Sequence, residues 1–275
     1  MGASAVEVRL FQSDQMITVG RLGQTISKLA QSLREIDRLL SVKEMKLPRV
    51  QWIVKNLGLN GNDIFLQVTA RDGIKLRSEE SLFEPIRLFM NGIESLADAP
   101  ELPEYYSEQT IDHIIELSKK SGGVEKTSLA MVNGHVGKQF ALDGKLLENA
   151  KKAARGTYEA LGSVSGKLDI LDGRHASKGY LKLSIFDDST NRGVTARFKA
   201  TRSEEVRNYW NTRVLLIGKI KKNEFGQAVE IDVDEIEKMP DETLPKTNFS
   251  DLLGVAPDWA NGLDPVEYIR GLRGA

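Results

Sequence analysis

A chain of 275 residues without a single cysteine and with a formal net charge of −1 excludes disulfide scaffolds, thiolate metal sites and iron–sulfur clusters, and offers phosphate no overall attraction. Its 40% hydrophobic content is enough for two compact domains, and no run of eighteen apolar residues is present to form a membrane helix. The opening MGASAVEVRLF has none of the marks of a secretory signal, so a cytoplasmic protein is expected, in which nucleic-acid binding must come from local clusters of Lys and Arg.

After a short strand, VEVRLF, the segment from Thr18 to Leu40 sets Leu22, Ile26, Leu29, Leu33, Ile36 and Leu40 at alternating spacings of four and three, which predicts one long amphipathic helix. Its polar face, Arg21, Gln24, Lys28, Gln31 and Arg34, reads as solvated. Pro48 stops the helix. VQWIVKNLGL and NDIFLQVTA then form a hairpin about Asn60-Gly61, a pair that accepts positive φ, with Trp52 in the core. A second helix runs near Glu80 to Leu96 on Leu82, Ile86, Phe89 and Ile93. The proline-rich APELPEYY separates it from a third helix with Ser107 as N-cap and Ile111, Ile114 and Ile115 behind it. TSLAMVNGHVGKQFAL predicts another hairpin, turning at Asn133-Gly134, before a helix from Gly144 to Arg155. Helix, hairpin, helix thus occurs twice, compatible with a degenerate duplication inside an α+β domain over residues 1–157.

Familiar catalytic patterns are missing. NGHVGKQF fails as a phosphate-cradling loop because Val132 and Gln139 stand where Gly and Ser or Thr are needed. His113, His135 and His175 fall on a helix, a turn and a loop, without metal-ligand spacing. Asp187-Asp188 with Asp169 and Asp172 have the oxygen chemistry for Mg²⁺, but DDSTNRG has the residue types of a plain turn between strands. A non-enzymatic protein without metal or cofactor is expected.

Residues 160–240 change character to strand, strand, strand, helix, strand, strand. In GYLKLSIFDDSTNRGVTARFKA, Leu181, Leu183 and Ile185 point to one face and Tyr180, Lys182, Ser184 and Phe186 to the other; the returning strand sends Val194, Ala196 and Phe198 inward and Thr195, Arg197 and Lys199 outward. Tyr209-Trp210 reads as a plug beneath the sheet. This element order, with Gly166 where the first strand must bend, resembles the OB-fold family of five-stranded barrels that bind oligonucleotides or oligosaccharides. The resemblance implies a binding platform of Tyr180, Lys182, Phe186, Arg197 and Lys199, joined by Lys167 from the first strand, Arg174 and Lys178 from the first loop, and Lys221, Lys222 and Phe225 around the last turn. Residues 162–200 carry seven basic and four acidic groups, a bias that favours a polyanion on this side, while Glu230, Asp232 and Asp234 are placed to pair with Lys219 and Lys221.

The last segment, 241–275, is proline-bearing yet rich in large apolar residues, with Leu252, Leu253, Trp259, Tyr268 and Ile269 suited to grip a partner or a domain. It resembles the endings of some bacterial proteins, a likeness that brings no activity with it. The expectation is therefore a non-catalytic binder of single-stranded nucleic acid or structured RNA. The alternative is a protein-interaction adaptor, antitoxin-like or a complex-assembly subunit, that docks through this tail. A homodimer through the first domain is compatible with either.

Overall fold

A computed structural model of the chain describes residues 4–43, 50–72, 77–172 and 179–240, the side chains of 170–172 excepted. The expectations for Arg174, His175, Lys178 and the tail residues Leu252, Leu253, Trp259, Tyr268 and Ile269 lie outside the described residues. The chain divides into two compact units, Met1–Met239 and Pro240–Ala275. All described elements belong to the first, and its architecture is mixed α+β.

Strand β1 (Ala5–Gln12) leads into the long helix α1 (Val19–Lys43), followed by the hairpin β2 (Gln51–Asn60) and β3 (Asp63–Arg71) and the helix α2 (Glu79–Asp98). Helix α3 (Glu108–Leu117), the hairpin β4 (Val124–Val132) and β5 (Val136–Ala141), and α4 (Gly144–Ala154) complete this half. The sheet runs β2-β3-β1-β4-β5, so the two hairpins flank the central β1. Val6, Val8 and Leu10 of β1 pack with Leu66, Val68 and Leu129 against Leu29, Leu33 and Ile36 of α1, Ile86, Phe89 and Ile93 of α2, and Ile111 and Ile114 of α3. Ser78 and Ser107 cap α2 and α3, accepting from the backbone N–H of Ser81 and Thr110. Arg21 is not solvated as its helix face suggests. It is buried, and its guanidinium donates to the carbonyls of Glu116, Leu117 and Lys119 at 3.1, 2.8 and 2.8 Å, closing the C-terminus of α3.

The remaining strands are β6 (Tyr158–Asp172), β7 (Tyr180–Asp187), β8 (Arg192–Lys199), β9 (Arg213–Lys222) and β10 (Ala228–Lys238), with a 3-10 turn and the short helix α5 (Ser203–Asn208) between β8 and β9. They close a barrel in the order β10-β8-β7-β6-β9, antiparallel except for the β8–β10 seam, which is an OB-like arrangement. Val164, Leu168, Leu183, Ile185, Val194, Phe198, Leu216, Ile220 and Ile231 fill it. Val206 of α5 is buried in this core, while Tyr209 packs only in part and Trp210 is 47% exposed, so the predicted Tyr209-Trp210 plug is replaced by Val206. The Asp187 side chain accepts from the Ser189 backbone N–H and from the hydroxyls of Ser189 and Thr190, holding the turn of the β7–β8 hairpin as its residue types suggest.

The two cores meet on the outside of the barrel. Phe186 and Val229 project away from the barrel interior and belong to the core of the sheet half, because α1, α3 and the connector before α3 lie over β7 and β8. The Tyr105 N–H donates to the Asn191 carbonyl at 2.7 Å, the Gly193 N–H to the Tyr106 carbonyl at 2.9 Å, and Leu39 stands against Gly193.

Candidate nucleic-acid interface

The alternation read in the β7–β8 hairpin is present, but its outward face is partly covered, with Phe186 buried and Tyr180, Lys182 and Arg197 half-buried. Phe186 is 2% exposed and stacks on Tyr105 with ring centroids 5.9 Å apart, so no base reaches it. The Arg197 guanidinium lies 4.3 Å from the centroid of the Tyr180 ring and pairs with Glu230 at 3.3 Å and Asp232 at 3.5 Å. Lys221 pairs with the same Glu230 at 2.5 Å. The Glu230 carboxyl would be raised by burial, but the Lys221 hydrogen bond and the charges of Lys221 and Arg197 outweigh it and hold the group below the usual carboxylate range. Lys182 faces Glu108 and Asp112 of α3. Ser184 accepts from Arg38 and Thr195 bonds Glu108. Of the predicted platform of Tyr180, Lys182, Phe186, Arg197 and Lys199, all but Lys199 therefore lie in a charge-compensated junction, which Lys221 joins. Lys199 is exposed at its end, and Lys167 sits apart, in a cleft beside α1.

This junction has a pH signature. Burial raises the carboxyls of Glu108 and Asp112, against the pull of Lys182. A carboxyl raised on folding contributes stability below its unfolded pKa and loses it as the pH climbs through the folded one. Glu108→Gln should thus melt higher than wild type at pH 7, with the difference closing toward about pH 4; thermal melts across that range by circular dichroism check it.

A second concentration of cations and rings survives where α4 meets the barrel. Helix α4 buries Leu146, Ala150 and Ala153 and turns Lys151, Lys152 and its C-cap Arg155 to solvent, where cations also complement the helix dipole. The chain then runs straight into β6, which starts at Tyr158 and pairs with β9 through Tyr158↔Lys222. Asn223 fixes the β9–β10 turn to the helix. Its amide donates to the Ala153 carbonyl at 2.9 Å, and its carbonyl accepts from the N–H groups of Phe225 and Gln227, each at 3.0 Å. The Thr157 N–H donates to the Lys222 carbonyl at 2.7 Å.

On this rim Tyr158 and Phe225 are 46% and 45% exposed. The Tyr158 hydroxyl reaches over Gly226, which adopts φ +76 and presents bare backbone to it. Residues 144–160 and 219–230 together carry seven cations against four carboxylates, a local excess of three positive charges in a chain whose total is −1. Glu159 is taken by Lys219 at 3.1 Å and Glu230 by Lys221. Lys151, Lys152, Arg155 and Lys222 have no ion pair among the described residues. Exposed rings beside uncompensated cations can stack bases while following a phosphate backbone.

Of the residues expected from sequence, Lys222 and Phe225 lie on this rim. Lys151, Lys152, Arg155 and Tyr158 were missed. The run KKAAR directly before a strand was the available signal, since only tertiary contact brings a helix end beside the last turn of a barrel. No known protein-family model matches the chain, and no curated protein shows significant similarity to it.

Proposed function

We propose that the protein is a non-catalytic binder of single-stranded nucleic acid, which it takes on the rim formed by the end of α4, the start of β6 and the β9–β10 turn. What supports this most is the joint exposure of Tyr158 and Phe225 next to Lys151, Lys152, Arg155 and Lys222 on a closed OB-like barrel. The rim is built to hold its shape: Asn223 is fully buried and its hydrogen bonds set the turn before any ligand arrives. Less ordering entropy is then lost on binding.

Fluorescence anisotropy with labelled single strands of DNA and RNA tests the proposal. Four phosphate contacts give a slope of log affinity against log salt of about −3, and Lys152→Ala/Arg155→Ala/Lys222→Ala should flatten it to about −1. Tyr158→Ala and Phe225→Ala should each weaken binding by about 1–3 kcal/mol without changing the slope. Binding that ignores all of these substitutions, or no binding at low salt, overturns the assignment.

A further inference from the structure

A cleft of about 550 Å³ opens between α1, α3 and the barrel, lined by Arg34, Glu35, Asp37 and Arg38 of α1, Gln109 and His113 of α3, and Lys167, Asp169 and Asn211 of the barrel, with Val42 and Val50 on its apolar side. Its size is that of a small-molecule site. Its three carboxylates are already occupied. Glu35 accepts from Arg38 at 2.6 and 3.2 Å and from the Ser107 hydroxyl at 3.1 Å, Asp169 is paired with Arg38, and Asp37 with Arg77 at 2.7 Å. Arg34 and Lys167 have no ion pair among the described residues, so both keep donors for an anion in the cleft.

His113 adds a second, independent observation. Its side chain is more than nine-tenths buried on the cleft wall, yet its Nδ1 has no hydrogen-bond partner. A buried polar atom left alone is costly and calls for a partner, such as a water or a bound group. Burial, reinforced by Lys28, lowers the imidazole pKa and keeps the ring neutral near pH 7, so Nδ1 is free to donate or accept. The exposed amides of Gln109 and Asn211 offer paired donor and acceptor groups at the entrance.

We propose that this cleft binds a small phosphorylated molecule of nucleoside-monophosphate size, its phosphate recognised by Arg34 and Lys167 and its uncharged ring held against Val42 and Val50 beside His113. Arg34 suits phosphate through its planar fork of donors. The cleft is distinct from the α4 rim, and the two sites stand or fall separately.

The test is calorimetric titration of the full chain with adenosine and uridine monophosphates, alongside inorganic phosphate and the unphosphorylated nucleosides. A monophosphate should bind with a dissociation constant below about 1 mM and raise the melting temperature, while nucleoside and phosphate alone bind more weakly. Arg34→Gln and Lys167→Gln should each weaken it about tenfold, whereas the rim triple variant Lys152→Ala/Arg155→Ala/Lys222→Ala should not. The imidazole resonance of His113, identified by its loss in His113→Gln, should move on titration. Absence of binding by every monophosphate, or binding that survives Arg34→Gln/Lys167→Gln in a variant that melts like wild type, overturns the inference.

Discussion

Gly166→Ala will leave the barrel unable to close. A Cβ at this position would stand 1.7 Å from the carbonyl oxygen of Phe186 and 2.8 Å from its carbonyl carbon. That oxygen cannot swing aside, because β6 and β7 pair through Gly166↔Asp187 and Lys167↔Phe186, and the Phe186 ring is pinned under Tyr105. The strands must separate to admit one methyl group, at about 3–5 kcal/mol. Gly218→Ala should behave alike, since its Cβ would lie 2.0 Å from the Asp232 carbonyl oxygen across the β9–β10 pairing. Gly23 supplies the contrast. It lies within α1 with nothing within 4 Å of its added Cβ, and alanine there should stabilise by about 0.5–1 kcal/mol. Urea titrations of the three variants decide the matter, and Gly166→Ala unfolding together with wild type would refute the steric argument.

Arg38→Ala should produce the other large loss, about 3 kcal/mol. This single guanidinium grips Glu35 by two bonds, pairs with Asp169 of β6 and donates to Ser184 of β7 at 3.2 Å. Although burial would lower its pKa, Glu35 and Asp169 raise it, so the charge is held firmly. Deleting it strands the Glu35 carboxylate, whose side chain is only 8% exposed, at a junction where water cannot fully compensate. The double variant Arg38→Ala/Glu35→Gln removes that charge and should recover part of the loss. A double variant no more stable than the single would show that the penalty comes from lost packing.

Local periodicity carried most of the fold. The alternation of Leu29, Leu33, Ile36 and Leu40, the Asn-Gly turns at 60–61 and 133–134, and the Ser107 cap all correspond to observed elements, because each depends on neighbours in sequence. Two kinds of fact escaped. Alternation correctly turned Phe186 out of the barrel, but could not say that Tyr105 waits there to cover it. Likewise the carboxylates of Glu230 and Asp232 were matched with Lys219 and Lys221 on the adjacent strand, whereas the parallel β8–β10 seam also sets them against Arg197. Arg21 illustrates the same limit: a cation on a polar helix face looks solvated until the carbonyls of another helix are brought to it. The candidate rim was half legible for this reason, Lys222 and Phe225 of the last turn following from the fold, and Tyr158 and the helix residues only from the contact that joins α4 to the barrel through Asn223 and Ala153.

Gln227 clasps the backbone of Leu102 from both sides, accepting from its N–H at 2.8 Å and donating to its carbonyl at 3.4 Å, while Arg192 donates to that same carbonyl at 2.5 Å. With Phe186 and Val229 lodged in the neighbouring core, this barrel is not an interchangeable cassette. Severed near residue 157 it would carry a wet phenylalanine and a bared valine on its flank, so the strands that close it in the full chain should hold together less well alone.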